Sequence, residues 1–359
     1  MVDLALRIFS IAAGSVLVFL VVTDVFQSVI LPRSPTFRFR LSALILRPAW
    51  KYARRYALHN ISGTERREDF IATVAPLMLV VFIGFWMSAL IVAFGAIFYG
   101  LREYVHVVNS FGDALYFAGT SILTIGYGDL VPTGGATRFI AIAAGMSGLG
   151  VFAVTTAYLF ALFGSFQSRE VFVVILGSRA GAPPSGVMLL ENYGRLGIHD
   201  EVCTVFESAM HWAATLLESH LAYPILAYFR SSHEGESWIS TLGAMLDAAA
   251  LAKTVIVDER LAAHATFFLD MGGHAVGDLS RYFQLDIPGE AGIEREEFDT
   301  AVTRLRAAGF QVRDAADCWA EFGRIRSRYA ASLQAMAGHW IIPPAEWIGD
   351  RSAVSHGHG

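Results

Sequence analysis

The way apolar residues are grouped in the first half of the chain limits the possible folds most. Two apolar segments, Phe70 to Gly100 and Phe139 to Phe163, each exceed the roughly 20 residues that a helix needs to cross a bilayer. Between them, Phe111 to Leu123 is apolar and long enough for one buried helix, but too short for a crossing. The glycine-rich strip Thr124 to Asp129 follows directly. This order predicts a loop that enters the membrane between two spanning helices and returns to the same side.

The strip Thr124-Ile125-Gly126-Tyr127-Gly128 has the residue types needed for a row of carbonyls that bind ions. A dehydrated K⁺ needs a cage of oxygens, and backbone carbonyls can supply it. Successive carbonyls point the same way only if the backbone alternates conformations that side chains disfavour, and glycine tolerates these. Thr124 would add its hydroxyl at the inner end, while Ile125 and Tyr127 would pack behind the strip. We therefore predict ion binding along Thr124 to Gly128, with K⁺ at Thr124, Ile125, Gly126 and Tyr127, in a ring of four copies.

This stretch resembles the signature sequence of potassium channels, with Ile125 in place of the more common valine. The resemblance covers roughly residues 70–164, in register and without gaps. It implies a tetrameric pore module of outer helix, pore helix, filter and inner helix. It also implies passive K⁺ conduction, with K⁺ as the permeant ion and no cofactor.

The resemblance assigns candidate gating positions on the inner helix. Gly148 stands 20 residues after Gly128, where the family's hinge glycine falls. Close helix packing by small residues explains a glycine there equally well. Phe152 and Thr156 would face the pore below the cavity, and Phe160, deeper still, would form a hydrophobic gate that closes by dewetting.

Two departures from the family pattern lie behind the strip. Thr120 stands where several members carry a glutamate, so Asp129 lacks a carboxyl partner. Tyr116 and Phe117 replace a pair of tryptophans. We treat Thr120 and Asp129 as positions that support the filter. The departures bear on its stiffness, and hence on inactivation, and not on which ion it selects.

A further apolar segment, Leu4 to Leu31, precedes this module. It is longer than the apolar region of a signal peptide, and its start offers only Arg7 against Asp3, which favours a retained helix. Asp24 lies inside this span, where a carboxylate is a functional candidate. The alternative that we favour is a residue that snorkels or is hydrogen-bonded and faces another helix.

Residues 33–69 form a basic linker, with nine Lys and Arg residues but only Glu65 as an acid between Arg33 and Arg67. The positive-inside rule places this linker in the cytoplasm and the N-terminus outside. Basic and apolar residues interleave, which predicts an amphipathic helix on the lipids of the inner leaflet, with a break at Pro48. A voltage sensor would need regularly spaced arginines inside a span, whereas these lie outside any span.

Charge separates the two halves of the chain. Charged residues make up 16% of the sequence, against about 25% in soluble proteins. Residues 1–167 carry 12 basic and 8 acidic residues, and residues 168–359 carry 15 and 24. The acidic second half argues against a nucleic-acid partner. Its two cysteines, Cys203 and Cys318, show no motif spacing and indicate packed thiols in a reducing compartment.

The second half reads as a mainly helical cytoplasmic domain after a turn at Gly181 to Gly186, the predicted domain boundary. A dinucleotide-binding GxGxxG unit is absent from this sequence, and so is a run of short alternating strands. His356 and His358 lack nearby metal-ligating partners, and a ligand of this domain stays an open possibility. The predicted helices are Asp200 to Leu221, Ser237 to Val257, Asp258 to Asp270, Ile293 to Ala308 and Asp314 to Ala337.

The sequence thus predicts an all-α membrane protein that is a K⁺-selective homotetrameric channel of a bacterial-type inner membrane, and not an enzyme. A non-selective cation channel is one alternative, although its usual mark is a change at Tyr127 or Gly128. A membrane-anchored signalling protein with a vestigial pore is the other. The predicted divisions are an N-terminal transmembrane helix (1–32), the basic linker (33–69), the pore module (70–166), a second linker (167–186), the cytoplasmic domain (187–350) and a flexible tail (351–359).

Overall fold

The computed structural model describes residues 2–30, 41–231, 235–287, 289 and 292–342. Over these residues the chain is helical apart from turns, short connections and two isolated β-bridges. Three of its helices are long and apolar enough to cross a membrane, at Asp3–Ser28, Thr64–Gly100 and Gly135–Ala180. The predicted fold class, an all-α membrane protein, is confirmed.

The chain folds as two compact units. Unit 1 comprises Met1–Ser62 and Asp69–Phe163, and unit 2 comprises Gly63–Glu68 and Gly164–Gly359. The division falls inside a long helix at Gly164, so the residues predicted as a second linker belong to unit 2.

Unit 1 contains the apolar helices that the hydropathy pattern predicted. The helix α3 (Thr64–Gly100) begins earlier than predicted, α5 (Gly135–Ala180) runs on past Phe163, and α1 (Val2–Val25) continues into a π-helical turn, Phe26–Ile30. A short 3₁₀-helix, Arg102–Tyr104, follows α3. The helices are α1 (Val2–Val25), α2 (Leu41–Asn60), α3 (Thr64–Gly100), α4 (Phe111–Ile122) and α5 (Gly135–Ala180).

The predicted break at Pro48 is wrong, because α2 continues through this proline. Proline removes one backbone hydrogen bond, but the turns on either side keep theirs. The amphipathic pattern holds where α2 is described, since Trp50, Ala53 and Ala57 are buried while Lys51 and Arg54 are exposed. The beginning of the basic linker, residues 33–40, and the C-terminal tail both lie outside the described residues.

The helix α1 lies in close contact with α3. A Cβ added at Gly14 would stand 2.5 Å from the carbonyl oxygen of Ala93, so only glycine fits this crossing. Nearer the end of α1, the indole Nε1 of Trp86 donates a hydrogen bond of 2.8 Å to Asp24 Oδ2. Asp24 is only 3% exposed. The structure therefore agrees with the reading of Asp24 as a hydrogen-bonded residue that faces another helix.

Unit 2 is built around α8 (Trp238–Thr254), whose residues are all buried except Lys253. The helix is rich in alanine and small residues, which lets its neighbours approach closely on every side. A 3₁₀-helix, Pro224–Tyr228, lies in the connection between α7 (Glu201–Ala222) and α8. The helices are α6 (Gly186–Arg195), α7 (Glu201–Ala222), α8 (Trp238–Thr254), α9 (Glu259–Tyr282), α10 (Arg295–Ala307), α11 (Ala315–Arg326) and α12 (Ala330–Trp340).

Two of the predicted helices in unit 2 differ markedly from the structure. The helix predicted to end at Asp270 continues through Gly272 and Gly273 to Tyr282. A Cβ at Gly272 would lie 3.0 Å from Leu246 Cδ2, so this glycine serves helix packing and is not a stop.

The helix predicted from Asp314 to Ala337 is instead divided into α11 and α12. At this division Tyr329 donates a 2.6 Å hydrogen bond from its hydroxyl to Asp247 Oδ1, and Arg326 Nε lies 3.2 Å from the same oxygen. A buried carboxylate needs such partners, and the break supplies them. The helix α6, which the sequence did not predict, is only ten residues long and starts at the N-cap Ser185.

Candidate functional site

The short helix α4 is fixed at its start by a reciprocal cap. Asp113 N donates to Ser110 Oγ (3.2 Å), and Ser110 N donates to Asp113 Oδ2 (2.8 Å). Hydrogen bonds from the backbone of Asn109 and Ser110 hold the pKa of Asp113 below its usual value. Farther along, the Phe117 ring packs edge-on against Phe98 of α3, with centroids 4.6 Å apart. The cap and this contact fix the direction of α4, and therefore the point at which the strip begins.

The strip begins by turning back onto the end of α4. The backbone N–H groups of Ile125 and Gly126 both donate to the carbonyl oxygen of Thr120, at 2.8 and 3.3 Å. Thr124 N donates to Ser121 O at 3.2 Å. Carbonyls at a helix end otherwise lack partners, and here the strip itself supplies them.

The backbone of the strip alternates in handedness. Thr124, Gly126 and Gly128 have positive φ angles of 57°, 58° and 82°, while Ile125 and Tyr127 between them do not. A Cβ at either glycine would meet no atom within 4 Å, so the glycines answer a backbone requirement and not a lack of space. Thr124 takes the same conformation with a side chain, at a cost of about 1–2 kcal/mol. The alternation is the conformation expected where successive carbonyls point the same way.

The strip is exposed within a single chain from Leu123 to Asp129. Ile125 and Tyr127 are 48% and 71% exposed, so the packing predicted behind the strip is not made within one subunit. Two large apolar side chains on either side of Gly126 are therefore left for other surfaces to cover.

The two supporting positions behave differently from each other. The Thr120 hydroxyl donates to the Phe117 carbonyl at 3.1 Å, and it is the Thr120 backbone oxygen that anchors the strip. Asp129 lies near Tyr116, and its carboxyl group raises the pKa of the Tyr116 hydroxyl. Tyr116 was noted only as a replacement for tryptophan, and this interaction was not predicted. A polar aromatic residue on α4 was the signal that could have revealed it.

The candidate hinge glycine Gly148 lies against the end of α4. A Cβ there would stand 2.2 Å from the carbonyl oxygen of Ile122. The helix α5 is regular through this point. Close packing therefore accounts for the glycine, while its role as a hinge stays a prediction.

The three other gating candidates share one side of α5, since they recur every four residues. Phe152 and Phe160 are well exposed within the chain, and the Thr156 hydroxyl donates to the Phe152 carbonyl at 2.9 Å. On the neighbouring side of the helix Val151 and Thr155 are buried. The structure thus leaves an apolar stripe uncovered below the strip.

Comparison with protein families matches residues 86–165 to a family described as an ion channel. The matched residues run from the second half of α3 through α4 and the strip to the middle of α5. They contain every candidate site residue described above.

Among individual proteins, the chain is similar to the uncharacterized membrane protein YdjJ of Bacillus subtilis (strain 168), with 25% identity over 219 residues. The alignment covers 58% of this chain and 60% of the relative, so the chain spans less than two thirds of the relative's length. No solved structure matches the chain. The two similarities support an ion channel in a membrane.

Proposed function

We propose that the protein is a K⁺-selective channel that assembles as a homotetramer and conducts passively across a bacterial-type inner membrane. The observation that carries the proposal is the alternating handedness of Thr124 to Gly128 at the end of a short capped helix. A K⁺ filter needs a row of carbonyls that replace the hydration shell of the ion. An ordinary loop or strand has no reason to place positive φ angles at every second residue.

Exposure of the strip supports assembly. One strip offers oxygens on one side only, whereas a dehydrated ion needs them all around, so several copies must face a common axis. Four copies would also cover Ile125 and Tyr127, which one chain leaves open. The C-terminal end of α4 adjoins the strip, and the negative end of its dipole would favour a cation in the cavity below.

Conduction then needs no chemical step. K⁺ exchanges its water for strip carbonyls at the outer mouth, moves between successive sites and is displaced by the next ion. Asp129, at one end of the strip, lies near the hydroxyl of Tyr116. On α5, the stripe of Phe152, Thr156 and Phe160 provides an apolar constriction that stops conduction when it loses its water.

The basic linker supports the orientation that belongs to this proposal. Exposed Lys51, Arg54 and Arg55 on α2 suit the anionic inner leaflet, which supports an N-terminus outside and unit 2 in the cytoplasm. Unit 2 then regulates the pore, either through a ligand or by another stimulus.

Ion flux into liposomes that contain the purified full-length protein tests this function. We expect K⁺ uptake at least about tenfold above that of empty liposomes, and a reversal potential that follows K⁺ over Na⁺. Gly126→Asp should reduce uptake to background, because it combines a disfavoured backbone with a carboxylate among the carbonyls. Gly84→Ala is the matched control, since a Cβ at Gly84 meets no atom within 4 Å and should leave uptake unchanged.

Three results would oppose the proposal. Equal permeability for K⁺ and Na⁺ would indicate the non-selective channel. Uptake that survives Gly126→Asp would place the pathway elsewhere. No uptake by the wild-type protein would favour the signalling protein with a vestigial pore.

A further inference from the structure

A buried arginine stands in the part of α5 that belongs to unit 2. Arg169 is 2% exposed, although its side chain carries a charge. Its Nη1 donates to Leu226 O and its Nη2 to Phe229 O, each at 3.0 Å, and its Nε donates to Glu170 Oε1 at 2.8 Å. Burying a charge is costly unless it is paired and hydrogen-bonded, so this geometry is specified by all of its partners together.

A second arginine extends the same network to α3. Arg230 pairs with Glu68 Oε1 at 3.5 Å, and Glu68 belongs to the first turns of α3 within unit 2. Its Nη2 also donates to the carbonyl oxygen of Ile341, just after α12, at 2.6 Å.

The segment Leu226–Arg230, which we call the clasp, is thus bonded to three helices. Carbonyl oxygens of the clasp accept hydrogen bonds from Arg169 of α5. Arg230, which belongs to the clasp, pairs with Glu68 of α3 and donates to Ile341 just after α12.

The clasp is itself held rigidly. Leu226, Ala227 and Phe229 are buried, and the Phe229 ring packs against Phe166 of α5 with centroids 5.7 Å apart. The Tyr228 ring meets Trp340 of α12 edge-on at 6.2 Å. A short segment with polar and aromatic contacts on both sides transmits displacement better than a free loop would.

We propose that Arg169 and Arg230 are positioning residues for gating, through which the clasp delivers movement of unit 2 to α5 and α3. This inference rests on the proposed channel function, because α3 and α5 are the helices that flank α4 and the strip. Through these two arginines the clasp is bonded to both helices, to α5 by Arg169 and to α3 by the pair of Arg230 with Glu68. Their contribution is to the balance between open and closed states, and not to the choice of ion.

Single-channel recordings of the full-length protein test the proposal. We expect Arg230→Gln to change the open probability at least about fivefold, while conductance and K⁺ over Na⁺ reversal stay as in the wild type. Glu68→Gln should have a similar effect, and combining the two should add little, since both break one ion pair. Arg230→Lys keeps the charge and should recover most of the wild-type open probability. Arg169→Lys, which cannot bond two carbonyls and Glu170 together, should also change it.

Arg304→Gln is the matched control. Arg304 pairs with Glu191 at 2.6 Å within unit 2, and this pair joins α10 to α6. It should lower the melting temperature without changing the open probability. If Arg304→Gln changes the open probability as much as Arg230→Gln does, the arginines of the clasp are merely structural and the inference fails.

An unchanged open probability in both Arg230→Gln and Glu68→Gln would equally overturn the inference. Either failure leaves wild-type K⁺ flux intact, which separates it from failure of the proposed channel function. In that second case the wild-type protein itself would show no flux.

Discussion

At the scale of single residues, a substitution at Gly148 can show whether this glycine serves the packing of α5 against α4 or a hinge in α5. A methyl group at this position would overlap the Ile122 carbonyl, since it would lie only 2.2 Å from the oxygen. We therefore expect Gly148→Ala to force α5 away from α4 and to destabilise the protein by about 1–3 kcal/mol. Thermal unfolding in detergent, followed by tryptophan fluorescence, measures the effect as a lower melting temperature.

Gly150→Ala is the control for this prediction, because a Cβ at Gly150 meets no atom within 4 Å. It should be neutral or stabilise the helix by up to about 1 kcal/mol. A Gly148→Ala protein with an unchanged melting temperature and a reduced open probability would contradict packing and favour the hinge.

Some features of the strip could be predicted from its own residues, and others could not. The need for positive φ angles placed Gly126 and Gly128 correctly, because only the backbone is involved. The same angle at Thr124 and the position of Tyr116 near Asp129 were not predicted. Both depend on the direction in which the chain leaves α4, and that direction is fixed by hydrogen bonds to Thr120 O across the turn.

At the scale of helices, the sequence predicted where a helix lies in the chain better than it predicted the residues at which the helix begins and ends. The helix predicted to end at Asp270 continues as α9 through Gly272, because α8 lies close against this glycine. The helix predicted from Asp314 to Ala337 divides where Tyr329 and Arg326 bond to Asp247. In each case a tertiary contact outweighed a local preference, and such contacts are not visible in a window of one helix.

The contact between α5 and α7 predicts a dependence of stability on pH. His220 of α7 is fully buried, with Nδ1 2.8 Å from Leu216 O and Nε2 3.5 Å from Arg169 Nη1. Burial, and then the charge of Arg169, lower the pKa of His220 from 6.5 to about 3. At pH values between about 3 and 6.5, His220 is protonated in the unfolded chain but stays neutral in the folded chain. Stability is therefore complete above 6.5 and falls as the pH drops through this window.

The slope is at most about 1.4 kcal/mol per pH unit for one such histidine. Denaturant unfolding of the full-length protein should show a loss of about 1–2 kcal/mol between about pH 7 and about pH 5. His220→Gln should flatten this slope, whatever its effect on stability at neutral pH. His274→Gln, at a largely exposed histidine, should keep it. A slope that survives His220→Gln would assign the proton uptake to another group.

At the scale of the whole molecule, the two units differ in how much their sequence reveals. A membrane imposes length and apolarity on spanning helices, so the apolar helices of unit 1 could be located from the sequence, although α3 begins earlier and α5 ends later than predicted. Unit 2 obeys no such external rule. Its order of helices was largely predictable, but α6 and the clasp were not, because their contacts join residues far apart in the chain.

Assembly is the property of the whole molecule that a single chain predicts most sharply, since the strip is complete only when copies share an axis. Co-expression of equal amounts of wild-type and Gly126→Asp chains tests the assembly, because only assemblies without an altered chain should conduct. If one altered copy blocks a tetramer, only about one assembly in sixteen conducts, and flux should fall to about 6% of the wild-type value.

A dimer would retain about one quarter of the flux and independent chains about one half. Co-expression with Gly84→Ala, which leaves the strip untouched, should retain full flux and shows that mixing itself is harmless. A result near one half would contradict a shared pore, because each chain would then have to build its ion pathway alone from a strip that presents oxygens on one side only.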